Sequence, residues 1–271
     1  MRTAIANDAS PCVEVKQTGP VTVIVMKQPE RLNALSPQLL IDLHQSLSMA
    51  AQDPHCRCLI LTGSGRGFCA GADLSHFNGS DNQEQATDLA ATLHETYHPI
   101  IRLIRGMEKP VITAVNGVAA GAGCSIALAG DIVLAGRSAS FIQAFIKLGL
   151  IPDAGSTWFV PRAIGRARAL QWMMSGEPLD AQTAEQWGLI NAVHDDDQLM
   201  GAAMSLGCQM AAQATRALAG IKALIDHSSE QDLDEQLGSE ARLQGMLGYG
   251  QDGREGISAF LHKRPAVFSG G

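Results

Sequence analysis

Lys109-Pro110-Val111-Ile112-Thr113-Ala114-Val115-Asn116-Gly117-Val118-Ala119-Ala120-Gly121-Ala122-Gly123-Cys124-Ser125 joins a β-branched run to a run of glycine and alanine. The first half predicts a strand, and the second predicts a helix that opens near Gly121 with bare backbone in front of it. The arrangement returns in Ile132-Val133-Leu134, a second strand, and Gly149-Leu150-Ile151-Pro152-Asp153-Ala154-Gly155, where another helix is expected to open near Asp153. Backbone amides freed by glycine and alanine can polarise a carbonyl, and Asp153 is the one carboxylate in these two glycine runs. One proton carrier beside such amides suits enolate chemistry.

Working outward, the same alternation extends toward the N-terminus. Val13-Glu14-Val15-Lys16 and Val21-Thr22-Val23-Ile24-Val25-Met26, separated by Gly19-Pro20, predict a hairpin. Ser36-Pro37 starts a helix: Ser36 caps it, Pro37 fits the first helical position, and Leu39, Leu40, Leu43, Leu47 and Ala50 form its apolar stripe. A buried strand is expected at Cys58-Leu59-Ile60-Leu61-Thr62, and a long helix over residues 83–105. Past Gly165 the strand signal fades, and helices are expected through Phe260. The fold class is therefore α/β, with a strand–helix core at 12–200 and a helical region at 201–268. No linker rich in Pro, Gly or Ser separates the two, so the helical part is expected to pack on the core.

Composition narrows the function classes. A chain of 271 residues that is 46% hydrophobic can bury a substantial core. With 20 basic against 27 acidic side chains, it lacks the positive field of a nucleic-acid binder. Its apolar runs fall short of the roughly 18 residues of a membrane span, and residues 1–8 lack a signal-peptide core, so a cytoplasmic protein is expected. Cys12, Cys56, Cys58, Cys69, Cys124 and Cys208 are scattered, which predicts reduced thiols. Neither Cys56-Arg57-Cys58 nor the pair His94 and His98 has the further ligands of a metal site, and no metal is predicted.

A third glycine-rich segment leaves a strand end at Gly63-Ser64-Gly65-Arg66-Gly67-Phe68-Cys69-Ala70-Gly71-Ala72-Asp73-Leu74. Alone it reads equally as a flexible turn. In order along the chain stand Asn33-Ala34-Leu35-Ser36, then residues 67–74, 109–117 and 149–155, and finally Glu255-Gly256-Ile257-Ser258-Ala259-Phe260-Leu261-His262-Lys263-Arg264. Together, over about residues 12–268, they resemble the crotonase (enoyl-CoA hydratase/isomerase) superfamily.

The resemblance implies a crotonase-like spiral of ββα units with a C-terminal helical trimerisation region. It implies a homotrimer or dimer of trimers that binds an acyl-CoA, with CoA as part of the substrate and no separate cofactor. By motif position, the amides of Ala72 and Ala122 would hold the thioester oxygen. Arg31, Ala70, Asp73 and Leu74, with Arg66 nearby, would lie along the CoA, and Phe260 and Lys263 would reach its nucleotide, often across a subunit interface.

The hydratases of the family carry two glutamates at positions that here hold Ser125 and Phe145, so two-carboxylate water addition is disfavoured. Residues 148–155, with Trp158, Pro161-Arg162, Gly165-Arg166-Ala167-Arg168-Ala169 and Ala184-Glu185-Gln186-Trp187-Gly188, resemble the family's 1,2-epoxyphenylacetyl-CoA isomerases of phenylacetate degradation. In that reading Asp153 moves a proton from one carbon to another. Taken alone, an aspartate after proline at a helix start fits a helix cap equally well. His76, Phe77, Phe141, Phe145 and Trp158 are candidates to line the acyl pocket. The alternatives are a Δ3,Δ2-enoyl-CoA isomerase of fatty-acid oxidation and a non-catalytic acyl-CoA or RNA binding protein of the same fold.

Overall fold

Two extended runs at the start of the chain pair as expected: β1 (Val13–Thr18) and β2 (Val21–Met26) form an antiparallel hairpin with Val15 opposite Ile24. The computed structural model describes residues 11–76 and 88–271. Residues 1–10, Phe77 and the first part of the expected 83–105 helix lie outside them. α1 (Pro37–Gln52) begins as the sequence predicts, with the Ser36 hydroxyl accepting from the Leu39 amide at 3.2 Å. Its buried residues are Leu39, Leu40, Leu43, Leu47 and Ala50, the full expected stripe.

From here a unit repeats, with one strand in a large sheet, a short strand in a small sheet, and then a helix. β3 (Cys58–Gly63) is followed by β4 (Gly67–Cys69). The next turn opens with α2 (Leu89–Thr92), a π-helical turn at Leu93–Tyr97 and α3 (His98–Gly106). It continues through β5 (Val111–Val115), β6 (Val118–Ala120) and α4 (Ala122–Leu128). The following turn has β7 (Ile132–Gly136), β8 (Ser140–Ile142), a 3-10 turn at Ala144–Leu148 and α5 (Ser156–Ser175). The sequence read 83–105 as one helix. The π turn interrupts it just before Pro99, which has no amide to give to the regular ladder.

The large sheet has the order β1-β2-β3-β5-β7-β10, and the small one β4-β6-β8-β9. β9 (Pro178–Asp180) and β10 (Ala192–His194) fall where the strand signal had faded. Each has three residues, too few to show an alternating pattern, and only pairing with β8 and β7 makes them strands. α6 (Ala181–Trp187) lies between them.

All six residues of β3 are buried, as in a parallel strand covered on both faces. The period of two sends Leu59 and Leu61 into the main core with Leu39, Leu43, Phe68 and Phe141. Cys58 and Ile60 enter a second core, which α7 (Leu199–Ala211) covers with Leu199, Ala203 and Ala211. α7 thus spans residue 200 and packs on the sheet. α8 (Thr215–His227), α9 (Leu233–Tyr249) and α10 (Gln251–Leu261) follow. Five of the six cysteines are buried and Cys208 is exposed; all are free thiols. Among the described residues, no helix is long and apolar enough to cross a membrane.

Candidate active site

Two loop segments approach each other at the C-terminal ends of the central strands. Asn33, fully buried, accepts from the Gln28 amide at 2.8 Å and donates to the Ser64 and Gly67 carbonyls at 3.0 and 2.8 Å. It thereby ties 31–35 to the β3–β4 connection. Along that segment Ala70 donates to Leu32, Leu35 to Gly71 and Asp73 to Leu35. This one-bridge parallel pairing of Leu35 with Ala72 uses the Gly71 carbonyl and the Asp73 amide, and the Ala72 N–H lies on the opposite side of its peptide group from the Gly71 carbonyl. The Ala72 amide therefore faces away from the bridge, with no acceptor among the described residues.

The second segment is the start of α4. Gly121 has φ 51 and ψ −129, a conformation open to glycine, and α4 has no side-chain cap at its N-terminus. Ala122, its first residue, has no intrahelical acceptor for its N–H. The two segments are pressed together: a Cβ on Gly71, whose φ is +93, would stand 2.7 Å from the Ala120 carbonyl oxygen. Glycine is what allows the backbone carrying Ala72 to lie against the backbone carrying Ala122.

Asp153 enters from the turn before α5. Ala154 and Gly155 both take positive φ, 48 and 87, and α5 starts at Ser156 with no side-chain cap. The capping role open to Asp153 in the sequence is thus not the one it plays. Its main-chain carbonyl accepts from the Ser156 amide at 3.1 Å and from the Ser125 hydroxyl at 2.9 Å. The carboxyl Oδ1 is buried without a hydrogen-bond partner among the described residues. Burial, uncompensated by any donor, pushes its pKa up from 3.8 to about 6. A carboxyl in that range takes up and gives back a proton near neutrality.

Ser125, noted in the sequence only for standing where the hydratases have a glutamate, joins side chains that complete the surroundings. Ser125, Gln143 and Ser156 are all fully buried and joined: Ser125 Oγ to Ser156 Oγ at 2.7 Å, and Gln143 Nε2 to Ser156 Oγ at 3.0 Å. Tyr97, carried inward by the π turn, is buried, and its hydroxyl is held above its ordinary range by burial and then by the neighbouring Asp153 charge. The π turn that places it had no signal in the sequence.

The other predicted residues divide. Arg31 pairs with Asp73 at 2.8 Å, the Asp73 carboxylate also accepts from the Ser75 hydroxyl at 2.6 Å, and Leu74 is exposed beside them. With Ala70 they form one edge next to Ala72. Arg66 is exposed on the β3–β4 loop. Phe260 and Lys263 lie at the end of α10, Phe260 82% exposed, and no contact joins them to this edge among the described residues. Phe141 and Phe145 are buried in the core, and the side chain of His76, like Phe77, lies outside the described residues. His94 and His98 stack edge to face at 4.9 Å.

Trp158 lies under Arg162, 4.1 Å from its guanidinium, and faces a different space. A cleft of about 1280 Å³ is bounded by α3, the start of α5 and α8 to α10, with Arg105, Trp158, Lys222, Leu247 and Phe268 on its walls. It meets the Asp153 turn only at Gly155.

The molecule is a spiral of ββα turns with two unspent amides on touching loops and a buried carboxyl on the turn bonded to α4. The family model for enoyl-CoA hydratase/isomerase matches residues 16–271, and the chain belongs to that family, the crotonases. It is 46% identical to the 1,2-epoxyphenylacetyl-CoA isomerase of Escherichia coli (strain K12), over 92% of this chain and 95% of that protein. It is 38% identical to the 2,3-dehydroadipyl-CoA hydratase of the same strain, over 92% and 95%. The crystal structure of an enoyl-CoA hydratase from Polaromonas sp. JS666 superposes with a TM-score of 0.88 at 36% identity, covering 94% of this chain and 99% of that one.

Proposed function

We propose that this chain is a cofactor-free acyl-CoA isomerase in which Asp153 carries the proton and the Ala72 and Ala122 amides hold the thioester oxygen. Its substrate is the ring-1,2-epoxide of phenylacetyl-CoA. The observation that carries the reading is the Asp153 carboxyl, buried without a donor and pushed up to about 6, on the turn that adjoins the start of α4. In the ionised state it takes a proton from the carbon beside the thioester. Charge then develops on the thioester oxygen, where two backbone donors stabilise it, each contributing on the order of 3 kcal/mol. Returning the same proton to another carbon regenerates the carboxylate, so the reaction has no net proton and needs no second acid–base group.

The positions matched to the hydratase glutamates are spent otherwise, which favours isomerisation over water addition: Ser125 is a buried hydrogen-bonding hydroxyl and Phe145 a core side chain. The epoxide assignment is supported by the 46% identity to a 1,2-epoxyphenylacetyl-CoA isomerase.

The CoA runs past Arg31, Ala70, Asp73 and Leu74. Phe260 and Lys263 meet the nucleotide of a CoA held by a neighbouring copy, in a homotrimer or dimer of trimers. The apolar side chains that α8 to α10 turn outward, among them Ile225, Leu237, Met246 and Phe260, support such an assembly.

The experiment is turnover of 1,2-epoxyphenylacetyl-CoA and of a 3-enoyl-CoA by wild type and Asp153→Asn, followed by mass and absorbance. Conversion of the epoxide, lost in the variant, is the expected result. Conversion of the enoyl ester alone transfers the protein to fatty-acid isomerisation, and binding of both without turnover makes it a non-catalytic acyl-CoA protein.

A further inference from the structure

The buried hydroxyls beside Asp153 form one continuous hydrogen-bonded row. Ser125 has a single hydroxyl proton, and here it goes to the Asp153 carbonyl at 2.9 Å, with the Gly121 carbonyl farther off at 3.4 Å. The 2.7 Å contact between Ser125 and Ser156 must then be donated by Ser156. Ser156, its own proton spent, receives from the amide of Gln143 at 3.0 Å. The other Gln143 N–H points to the Cys124 sulfur at 3.5 Å, and its oxygen is buried without a partner among the described residues. With Ser125 giving its proton to Asp153, donation runs from Gln143 to Ser156 to Ser125 to the main chain of Asp153.

Its members come from three elements: Gln143 follows β8, Ser156 opens α5, and Ser125 belongs to α4, the helix whose first amide is that of Ala122. The turn they grip needs gripping, because Ala154 sits at φ 48, a region that a residue with a Cβ disfavours. We infer that Gln143, Ser156 and Ser125 are positioning residues: a buried hydrogen-bonded relay that locks the Asp153 turn to α4 and so fixes the carboxyl relative to the Ala122 amide. The inference rests on Asp153 being the proton-transfer group.

The test is steady-state kinetics across pH for Ser125→Ala, Gln143→Glu, Ser125→Thr and Asp153→Asn, with thermal melts alongside. Ser125→Ala removes the last link. Gln143→Glu keeps the shape of the first link but replaces the donor with an acceptor, and it sits on a different element, so loss of fold in one variant does not end the test. A carboxyl displaced by about 1 Å loses on the order of 100-fold in turnover. We expect kcat in both variants to fall about 10- to 100-fold, KM to stay within about threefold, and the acid limb of the kcat profile to move. Ser125→Thr, which keeps the hydroxyl, retains kcat within about threefold. Lower melting temperatures with unchanged kcat and acid limb, while Asp153→Asn is inactive, would overturn the relay alone. An active Asp153→Asn removes the reading of Asp153 and the relay with it.

Discussion

The neighbourhood of Asp153 and the C-terminal helices solve opposite problems. Around Asp153 almost everything polar is buried and bonded inside one chain: Asn33, Ser125, Gln143 and Ser156 are each fully enclosed. Over α8 to α10 the apolar groups face out. None of the 17 described residues of α9 is buried, whereas α1, with 16, buries five. The C-terminal region is held to the core by directional bonds instead. Arg57 donates to the Gln213 and Phe268 carbonyls at 2.6 and 2.7 Å, and Lys222 donates to the Ile104 carbonyl and the Asp131 carboxylate at 2.8 and 2.9 Å. Arg105 adds pairs to Asp226 and Asp131. A polar clasp ties these helices to the core without using up their apolar side chains, which stay exposed. The proposed site closes its polar groups within the chain, while the C-terminal helices leave apolar side chains exposed.

The sharpest way to break that contrast is at Asp153. Asp153→Asn is expected to lower kcat by about 100-fold or more, with folding and assembly unchanged, as read by turnover, circular dichroism and sedimentation. The converse change lies in the helices: Leu237→Glu with Met246→Glu should convert the assembled species to monomer in analytical ultracentrifugation, since charge is then forced into an apolar contact. Retention of the large species would show that α9 is not the contact.

Smaller effects sharpen the same line. Asp153 must be ionised to take a proton, so kcat/KM should fall about tenfold per pH unit below roughly pH 6. A flat profile down to pH 5 would contradict the burial of that carboxyl. Phe260→Ala should raise KM for the CoA ester about three- to tenfold and leave kcat alone, if the nucleotide is met across the interface.

The smallest effect is on stability. The folded carboxyl of Asp153 titrates at about 6, above its ordinary 3.8, so between these values the folded protein holds more protons than the unfolded one. Stability therefore declines as pH rises through that window. Asp153→Asn, which carries no charge, should be more stable than wild type at pH 8 by about 1–2 kcal/mol and nearly equal to it at pH 4, measured by denaturant unfolding.

Much of the fold and of the proposed site was legible because local physics marks it. Ser36-Pro37 and the α1 stripe follow helix-end and periodicity rules, and the glycines at 71 and 121 stand where backbone must approach backbone. Asp153 was legible as a lone carboxylate between glycines, although the sequence left capping open and only the absence of a cap bond removed it. The relay was not legible. Ser125 and Ser156 are 31 residues apart, Gln143 is 13 from Ser156, and serine and glutamine are common enough that only folding shows them meeting. β9 and β10 were missed because three residues carry no period, and the π turn because it is a fault in an otherwise regular helix. The apolar residues of α9 were visible in the sequence, but that none of the helix is buried shows only in the fold.

The distribution of thiols turns the molecule into a gauge of its own opening. Cys69 and Cys124 lie beneath the two loop segments and Cys58 in β3, all pushed up to about 12 by burial, so they are neither accessible nor ionised in the native fold. An alkylating reagent meets only Cys208 at first, and each further equivalent consumed records a region that has come apart. Mapped by mass spectrometry, the order in which the remaining five cysteines are modified would tell whether the floor of the site or the hairpin end of the large sheet yields first.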